Sequence, residues 1–245
     1  MAAKGQKATS LAQHHLERLK RVGITDDVIK ARGYETASTK TGLGDLGYSR
    51  SQWNAPALVI PIYDAMGKRA GVQIRPDKPR LDARAKPVKY ESPHRSRPYI
   101  DVSPAAQKLV DDPEKPLVIT EGVIKADAAI SRNISSVSIA GVQAWRPDDP
   151  FWTSIPLVKR LVFIAFDSDQ ATNLNVQRAA ARLSDEFKRR GAVPKVLCLP
   201  AGRNGDKQWL DDFLAAGSTF EDLITLPVLD LATLARDRKI GRAHV

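Results

Sequence analysis

Four short apolar runs recur in the second half of the sequence: LVIT (117–120), SVSIAG (136–141), RLVFIAF (160–166) and PKVLCLP (194–200). Continuous apolar runs of this length are what strands buried on both faces look like. Parallel strands also need long crossovers, usually helices. Helix-like segments stand where crossovers are required. KADAAISRN (125–133) is one. NVQRAAARLSDEFKRRG (175–191) is the clearest, with Val176, Ala179, Ala180, Leu183 and Phe187 on one stripe and Gly191 as its stop. Residues 149–160 bridge, and WLDDFLAAG (209–217) reads as a last short helix. The pattern predicts an α/β fold with a parallel sheet covered on both faces.

In such a sheet, ligands bind at the carboxyl ends of the strands, and that is where acidic residues collect. Glu121 closes LVIT and is followed by Gly122. Asp167 and Asp169, separated by Ser168, close the third run. Asp211 and Asp212 follow the fourth after the polar loop AGRNGDKQ. Singly, each has a plain structural reading. Asp169 suits a helix N-cap, and Asp211 and Asp212 suit a first helical turn, which the helix dipole favours. Together, carboxylates crowded on one rim repel, and without a cation one would take up a proton. Mg²⁺ removes the conflict, since it accepts one or two carboxylates and fills its shell with water and phosphate oxygens. The expected chemistry is therefore phosphoryl transfer, with the metal neutralising phosphate charge and orienting the attacking oxygen.

The charge distribution agrees. Residues 1–110 hold 20 Lys/Arg against 10 Asp/Glu, and residues 111–245 hold 18 against 18, so the whole +10 excess lies in the first half. Much of it falls between Lys68 and Lys108. A basic region beside a neutral, acid-bearing one suits a polyanion held by one part and processed by the other. Its plain alternative is a solvated basic surface.

The first half reads as a short disordered lead (1–10), a helical hairpin ending at Gly33, and a strand hairpin. The hairpin is PALVIPIY (56–63), a turn at Asp64–Gly67, then AGVQIRP (70–76). His14 and His15 are expected on the exposed side of the first helix, and with no cysteine nearby they are not expected to bind a metal. Residues 77–98 are rich in Pro, Arg and Lys and show little periodicity. Trp145 reads as core or loop packing. Cys198 is the only cysteine, which excludes an intramolecular disulfide and a multi-cysteine zinc ribbon within this sequence. With 42% hydrophobic and 27% charged residues the chain has a globular composition. No apolar run approaches the roughly 20 residues of a membrane span, and MAAKGQKATS lacks a signal core. A cytoplasmic protein without a membrane partner is expected.

The ordered set strand-Glu-Gly, strand-Asp-x-Asp, then a downstream acid pair resembles the Toprim domain of bacterial-type DNA primases, topoisomerases and some nucleases. The resemblance covers about residues 115–218. It implies a Rossmann-like Toprim domain with Glu121 as general acid/base and Asp167 and Asp169 as metal ligands, with Asp211 and Asp212 added to the metal set. Lys125-Ala-Asp127 and the LDDFL ending (210–214) are similar to Toprim proteins of phage and plasmid replication. Lys125 would sit at a helix N-terminus near the phosphate, or be an ordinary surface lysine. LVIPIYDAMGKRAGVQIR followed by KPVKYESP resembles the basic subdomain preceding Toprim in primases. It implies nucleic-acid contacts at Arg75, Lys86, Lys89, Tyr90, Arg95 and Arg97, with Tyr90 free to stack on a base or to pack in a core. Ser168 departs from the glycine usual in primases.

The expected organisation is a basic α+β subdomain (11–110), a Toprim domain (111–228) and a tail (229–245). The tail's KIGRAHV resembles a translated sequencing adapter, so the chain is expected to be the front of a longer replication protein. The expected function is a Mg²⁺-dependent primase-like nucleotidyltransferase, with Mn²⁺ as substitute, working for a phage, plasmid or other mobile element. Single-stranded DNA and nucleoside triphosphates would be its partners, and a replicative helicase would act in cis or in trans. The competing readings are a Toprim nuclease and a non-catalytic DNA-binding accessory module. A topoisomerase is not expected, since 245 residues leave little room for a strand-passage domain with its tyrosine nucleophile.

Overall fold

The structure, a computed structural model, describes residues 10–168, 173–202 and 205–230. Asp169, residues 1–9 of the expected lead and residues 231–245 of the expected tail lie outside the described residues.

Helices α1 (Gln13–Arg21) and α2 (Asp26–Arg32) come first. Gly33 closes α2 at φ +72, a left-handed conformation open to glycine at little cost. Strand β1 (Glu35–Ala37), helix α3 (Lys40–Asp45), and strands β2 (Ala57–Tyr63) and β3 (Arg69–Pro76) follow. The three strands form an antiparallel sheet in the order β1-β2-β3, so the expected hairpin is the β2/β3 pair. β2 is apolar at every position because both its faces are covered. Leu58, Ile60 and Ile62 enter one core, and Ala57 and Val59 another. β1 and α3 are additions to the expected elements, too short to show a period. Residues 77–98 run as a loop, tied back to β3 by a bridge between Ile74 and Glu91.

The larger part contains β4 (Ile100–Asp101), α4 (Gln107–Val110), β5 (Leu117–Glu121), α5 (Val123–Ile130), β6 (Ser136–Ile139) and α6 (Phe151–Ser154). Then come β7 (Leu161–Ile164), α7 (Leu174–Arg189), β8 (Val193–Val196), α8 (Leu210–Ala215) and α9 (Phe220–Ile224). The sheet order is β4-β6-β5-β7-β8. β5, β6, β7 and β8 are parallel, as expected, and β4 adds an antiparallel edge. On β7, Val162 and Ile164 pack on one face with Ala180, Leu183 and Phe187 of α7. Phe163 points to the other, where Leu210, Phe213 and Leu214 of α8 lie. Trp145 is buried in the core, as expected. Among the described residues, no helix is long and apolar enough to cross a membrane.

A buried ion cluster joins the two parts. Arg32, at the end of α2, is fully buried with Asp101 and Asp127. Its Nε and Nη2 donate to Asp127 at 2.6 and 2.8 Å. Nη1 and Nη2 donate to Asp101 at 2.9 and 3.0 Å, and Nη1 also reaches the Pro61 carbonyl at 3.0 Å. All five guanidinium N–H groups are thereby used. Tyr34 donates its hydroxyl to Asp127 at 2.7 Å. Burial disfavours the Arg32 charge, but the two carboxylates override it and hold its pKa well above the ordinary value. Burial pushes Asp101 up against the pull of Arg32.

One expectation is corrected. His15 is fully buried rather than exposed. It lies four residues before Leu19, on the stripe of α1 that faces the core, and four after Leu11, which packs against the same core just ahead of the helix.

Candidate active site

β5 ends on Glu121, and Gly122 turns the chain into α5 at φ +87. Lys125 is the third residue of that helix. Past β7 the chain continues through Ala165 and Phe166 to Asp167. There Ser168 makes a two-way link to the segment preceding α8. Its N–H donates to the Gln208 carbonyl at 3.0 Å, and its hydroxyl accepts from the Gln208 N–H at 2.8 Å. A glycine could make only the first of these contacts. The link brings the first turn of α8, with Asp211 and Asp212, to the rim that carries Asp167.

These groups meet in a cavity of about 370 Å³. Glu121, Lys125, Asp167, Asp211 and Asp212 line it, and Arg75, Lys89 and Tyr90 join them from the first half of the chain. Lys86, Arg95 and Arg97 are exposed on the 77–98 loop and are outside the cavity lining. A larger cavity of about 630 Å³, bordered by Lys115, Arg132 and Glu221, contains none of the convergent groups. Size does not mark the chemistry.

Electrostatics within the cavity are uneven. Asp167 is buried, and its two oxygens meet two ammonium groups, Lys125 Nζ on Oδ1 and Lys207 Nζ on Oδ2, the latter at 3.0 Å. Asp211 is 9% exposed, and its Oδ1 is buried without a hydrogen-bond partner. Burial pushes its pKa up and neighbouring Asp212 adds to this, against the opposing pull of Lys125. A carboxylate in this condition gains from a cation. Asn173 caps α7, accepting from the N–H of Asn175 at 3.0 Å. The helix therefore has a cap that is not Asp169.

Arg75 donates to the Tyr90 hydroxyl at 2.6 Å and lies 5.1 Å from the ring centroid. Tyr90 is 36% exposed, a cavity-edge ring rather than a core one. Three contributors escape a reading of the sequence. Gln73 lies two residues before Arg75 on β3 and lines the cavity. Trp209 does too, with Lys89 Nζ 5.7 Å from its ring centroid. Lys207 reaches Asp167. Strand parity from Arg75 points to Gln73, but nothing local marks Trp209 or Lys207.

Residues 106–219 match a family model described as a domain of unknown function, DUF3854. No curated protein matches the sequence. Among solved structures, the chain is similar to the Aquifex aeolicus primase (zinc binding and RNA polymerase domains) at 17% identity and TM-score 0.61. That match covers 93% of this chain and 59% of the other, so the chain spans little more than half of that structure. A DNA primase domain from Pseudomonas aeruginosa matches at 17% identity and TM-score 0.61, over 92% of this chain and 75% of the other. A DnaG primase catalytic domain bound to ssDNA matches at 18% identity and TM-score 0.58, over 86% and 72%. With a mostly parallel five-stranded sheet and an antiparallel three-stranded one, the chain has the fold of the primase catalytic core.

Proposed function

We propose that this cavity is a divalent-metal site for nucleotidyl transfer, making primers on single-stranded DNA from nucleoside triphosphates in the replication of a phage, plasmid or other mobile element. The observation that carries the reading is the convergence of carboxylates from separate strand ends with Arg75, Lys89 and Tyr90, on this fold. The basic part (11–110) would hold the template and the Toprim-like part (111–228) would do the chemistry, with a helicase acting in cis or in trans.

The residues fit a cation. Asp211 Oδ1 has no partner of its own, and the oxygen set is hard, which suits Mg²⁺ with Mn²⁺ as substitute. Asp167, Asp211 and Asp212 would hold it, together with Asp169. The metal supplies charge neutralisation at the phosphates and orients the attacking oxygen. Glu121 would take the proton from the attacking hydroxyl. Lys125 would leave Asp167 for a phosphate oxygen. Arg75 and Lys89 would contact the nucleic-acid backbone and Tyr90 would stack on a base. The test is template-directed dinucleotide synthesis. Product is expected with Mg²⁺ or Mn²⁺ and none with a chelator. Absence of product with either metal overturns the reading, and cleavage of the DNA instead would assign the site to hydrolysis.

A second measurement does not depend on turnover. Asp211 has a folded-state pKa above its unfolded one, so folding favours its protonated form. That advantage is complete below the unfolded pKa and lost as pH rises through the folded one. Above its unfolded pKa, without metal, Asp211 therefore lowers stability. Asp211→Asn should raise Tm by about 2–4 °C, the shift produced by about 1 kcal/mol at this size. Saturating Mg²⁺ should reverse the order, because it stabilises only the chain that binds it. Equal Tm values in both conditions would count against a cation at Asp211.

A further inference from the structure

A second cluster of ligating atoms lies apart from the cavity just described. His14 and His15, in the first turn of α1, both reach Asp77, which follows the end of β3. His14 Nε2 is 2.9 Å from Asp77 Oδ2, and His15 Nε2 is 3.0 Å from Asp77 Oδ1. Consecutive residues on a helix project about 100° apart and do not normally face each other. Here the two rings lie with centroids 4.1 Å apart, drawn onto one carboxylate. The two imidazole nitrogens and the carboxylate are thus grouped, with one ligand atom from each residue within 4.8 Å of the others.

We propose that His14, His15 and Asp77 form a binding site for a borderline transition-metal cation of the Zn²⁺ type. A tetrahedral site with metal–ligand bonds of about 2.0–2.2 Å sets neighbouring ligand atoms about 3.3 Å apart. The two nitrogen–oxygen separations, 2.9 Å to Asp77 Oδ2 and 3.0 Å to Asp77 Oδ1, would each open by a few tenths of an ångström, while the two nitrogens, within 4.8 Å of each other, would settle toward the same spacing. Imidazole nitrogen selects Zn²⁺-like ions, whereas the all-oxygen set around Asp167 and Asp211 suits Mg²⁺. The two sites thus differ in the ion they take.

The surroundings of His15 are arranged for a ligand. Its Nδ1 lies 2.8 Å from Thr36 Oγ1, which also accepts from the Ala12 N–H at 2.8 Å. With a cation on Nε2, the ring proton moves to Nδ1 and is donated to that hydroxyl. This outer hydrogen bond fixes the tautomer and the ring orientation of a ligating histidine. Burial keeps the His15 imidazole below its ordinary pKa, against the pull of Asp77. The His14 side chain is 51% exposed, which leaves an approach from solvent and room for water in a remaining position. A bound ion would clamp α1 to the end of β3, two residues beyond Arg75 in the cavity wall.

The test uses the whole chain, stripped of metal with a chelator and held in excess Mg²⁺ so that the oxygen site is satisfied. Zn²⁺ is titrated by calorimetry, with Co²⁺ as a visible-absorption probe. One equivalent of Zn²⁺ with micromolar or tighter affinity is expected, together with a rise in Tm. His14→Ala, at a half-exposed position, should fold normally and weaken binding at least about tenfold, the lower end of the loss seen when a metal ligand's hydrogen-bond partner is removed. Asp167→Asn should leave the Zn²⁺ equivalent intact. No binding below about 100 μM, or binding that His14→Ala does not weaken, would overturn the site and leave a hydrogen-bonded trio.

Discussion

Asp127→Ala is expected to destabilise the protein by about 3–5 kcal/mol, the range for removing one partner from a buried ion pair. Asp127 is fully buried and accepts two N–H bonds from Arg32 and the Tyr34 hydroxyl. Truncation leaves two guanidinium donors and a phenol with no acceptor in a space from which water is excluded, and each such group carries a desolvation cost of about 1–3 kcal/mol. Asp101 remains to neutralise the Arg32 charge, which keeps the effect within that range. Asp127→Asn keeps an acceptor and much of the shape, so it should cost less. Lys125→Ala, two residues away on the same helix but lining the cavity, should cost less than Asp127→Ala, because Lys207 still pairs with Asp167. Urea unfolding of the three variants checks this order. A loss below about 1 kcal/mol for Asp127→Ala would mean that the cluster does not lock the two parts together.

That cluster also shows where reading the sequence stops. Lys125-Ala-Asp127 looks like one functional unit, because both charged residues follow Glu121-Gly122 in a recognisable spacing. On a helix, residues two apart point about 200° from each other. Lys125 therefore enters the cavity, while Asp127 turns into the core to meet Arg32, 95 residues earlier in the chain. No local pattern encodes a partner at that distance. The parallel strands were legible because burial on both faces requires unbroken apolar runs, and the shared cavity of Glu121, Asp167, Asp211 and Asp212 was legible because strand ends converge on one rim. β4 was not, since two residues carry no period and Asp101 is held by Arg32 rather than by an apolar face. Trp209 was hidden for a different reason. It approaches Lys89 next to the Ser168–Gln208 link, a contact between segments 40 residues apart. His15 was legible in principle, since its position on the Leu11–Leu19 stripe marks it as inward. A histidine at an inward position needs a polar partner, and Thr36 and Asp77 supply it.

Asp167→Ala should lower metal-dependent dinucleotide synthesis about 10³-fold while leaving the affinity for single-stranded DNA nearly unchanged. A metal held at a reacting phosphate contributes several kcal/mol of charge stabilisation in the transition state, and about 4 kcal/mol corresponds to 10³ in rate. In the proposed site, Asp167 is also the anchor for Lys125 and Lys207. Its removal leaves two adjacent ammonium groups with no carboxylate between them, which opposes cation entry further. Backbone contact with DNA rests instead on Arg75 and Lys89, whose charges the substitution does not touch. Synthesis, Mg²⁺ dependence and anisotropy with labelled single-stranded DNA, measured on the same preparation, separate the possibilities. Loss of synthesis with retained DNA binding is the expected result. A fall of less than tenfold would remove Asp167 from the metal set. Loss of DNA affinity along with synthesis would mean that the metal bridges the nucleic acid to the protein rather than serving the bond-forming step.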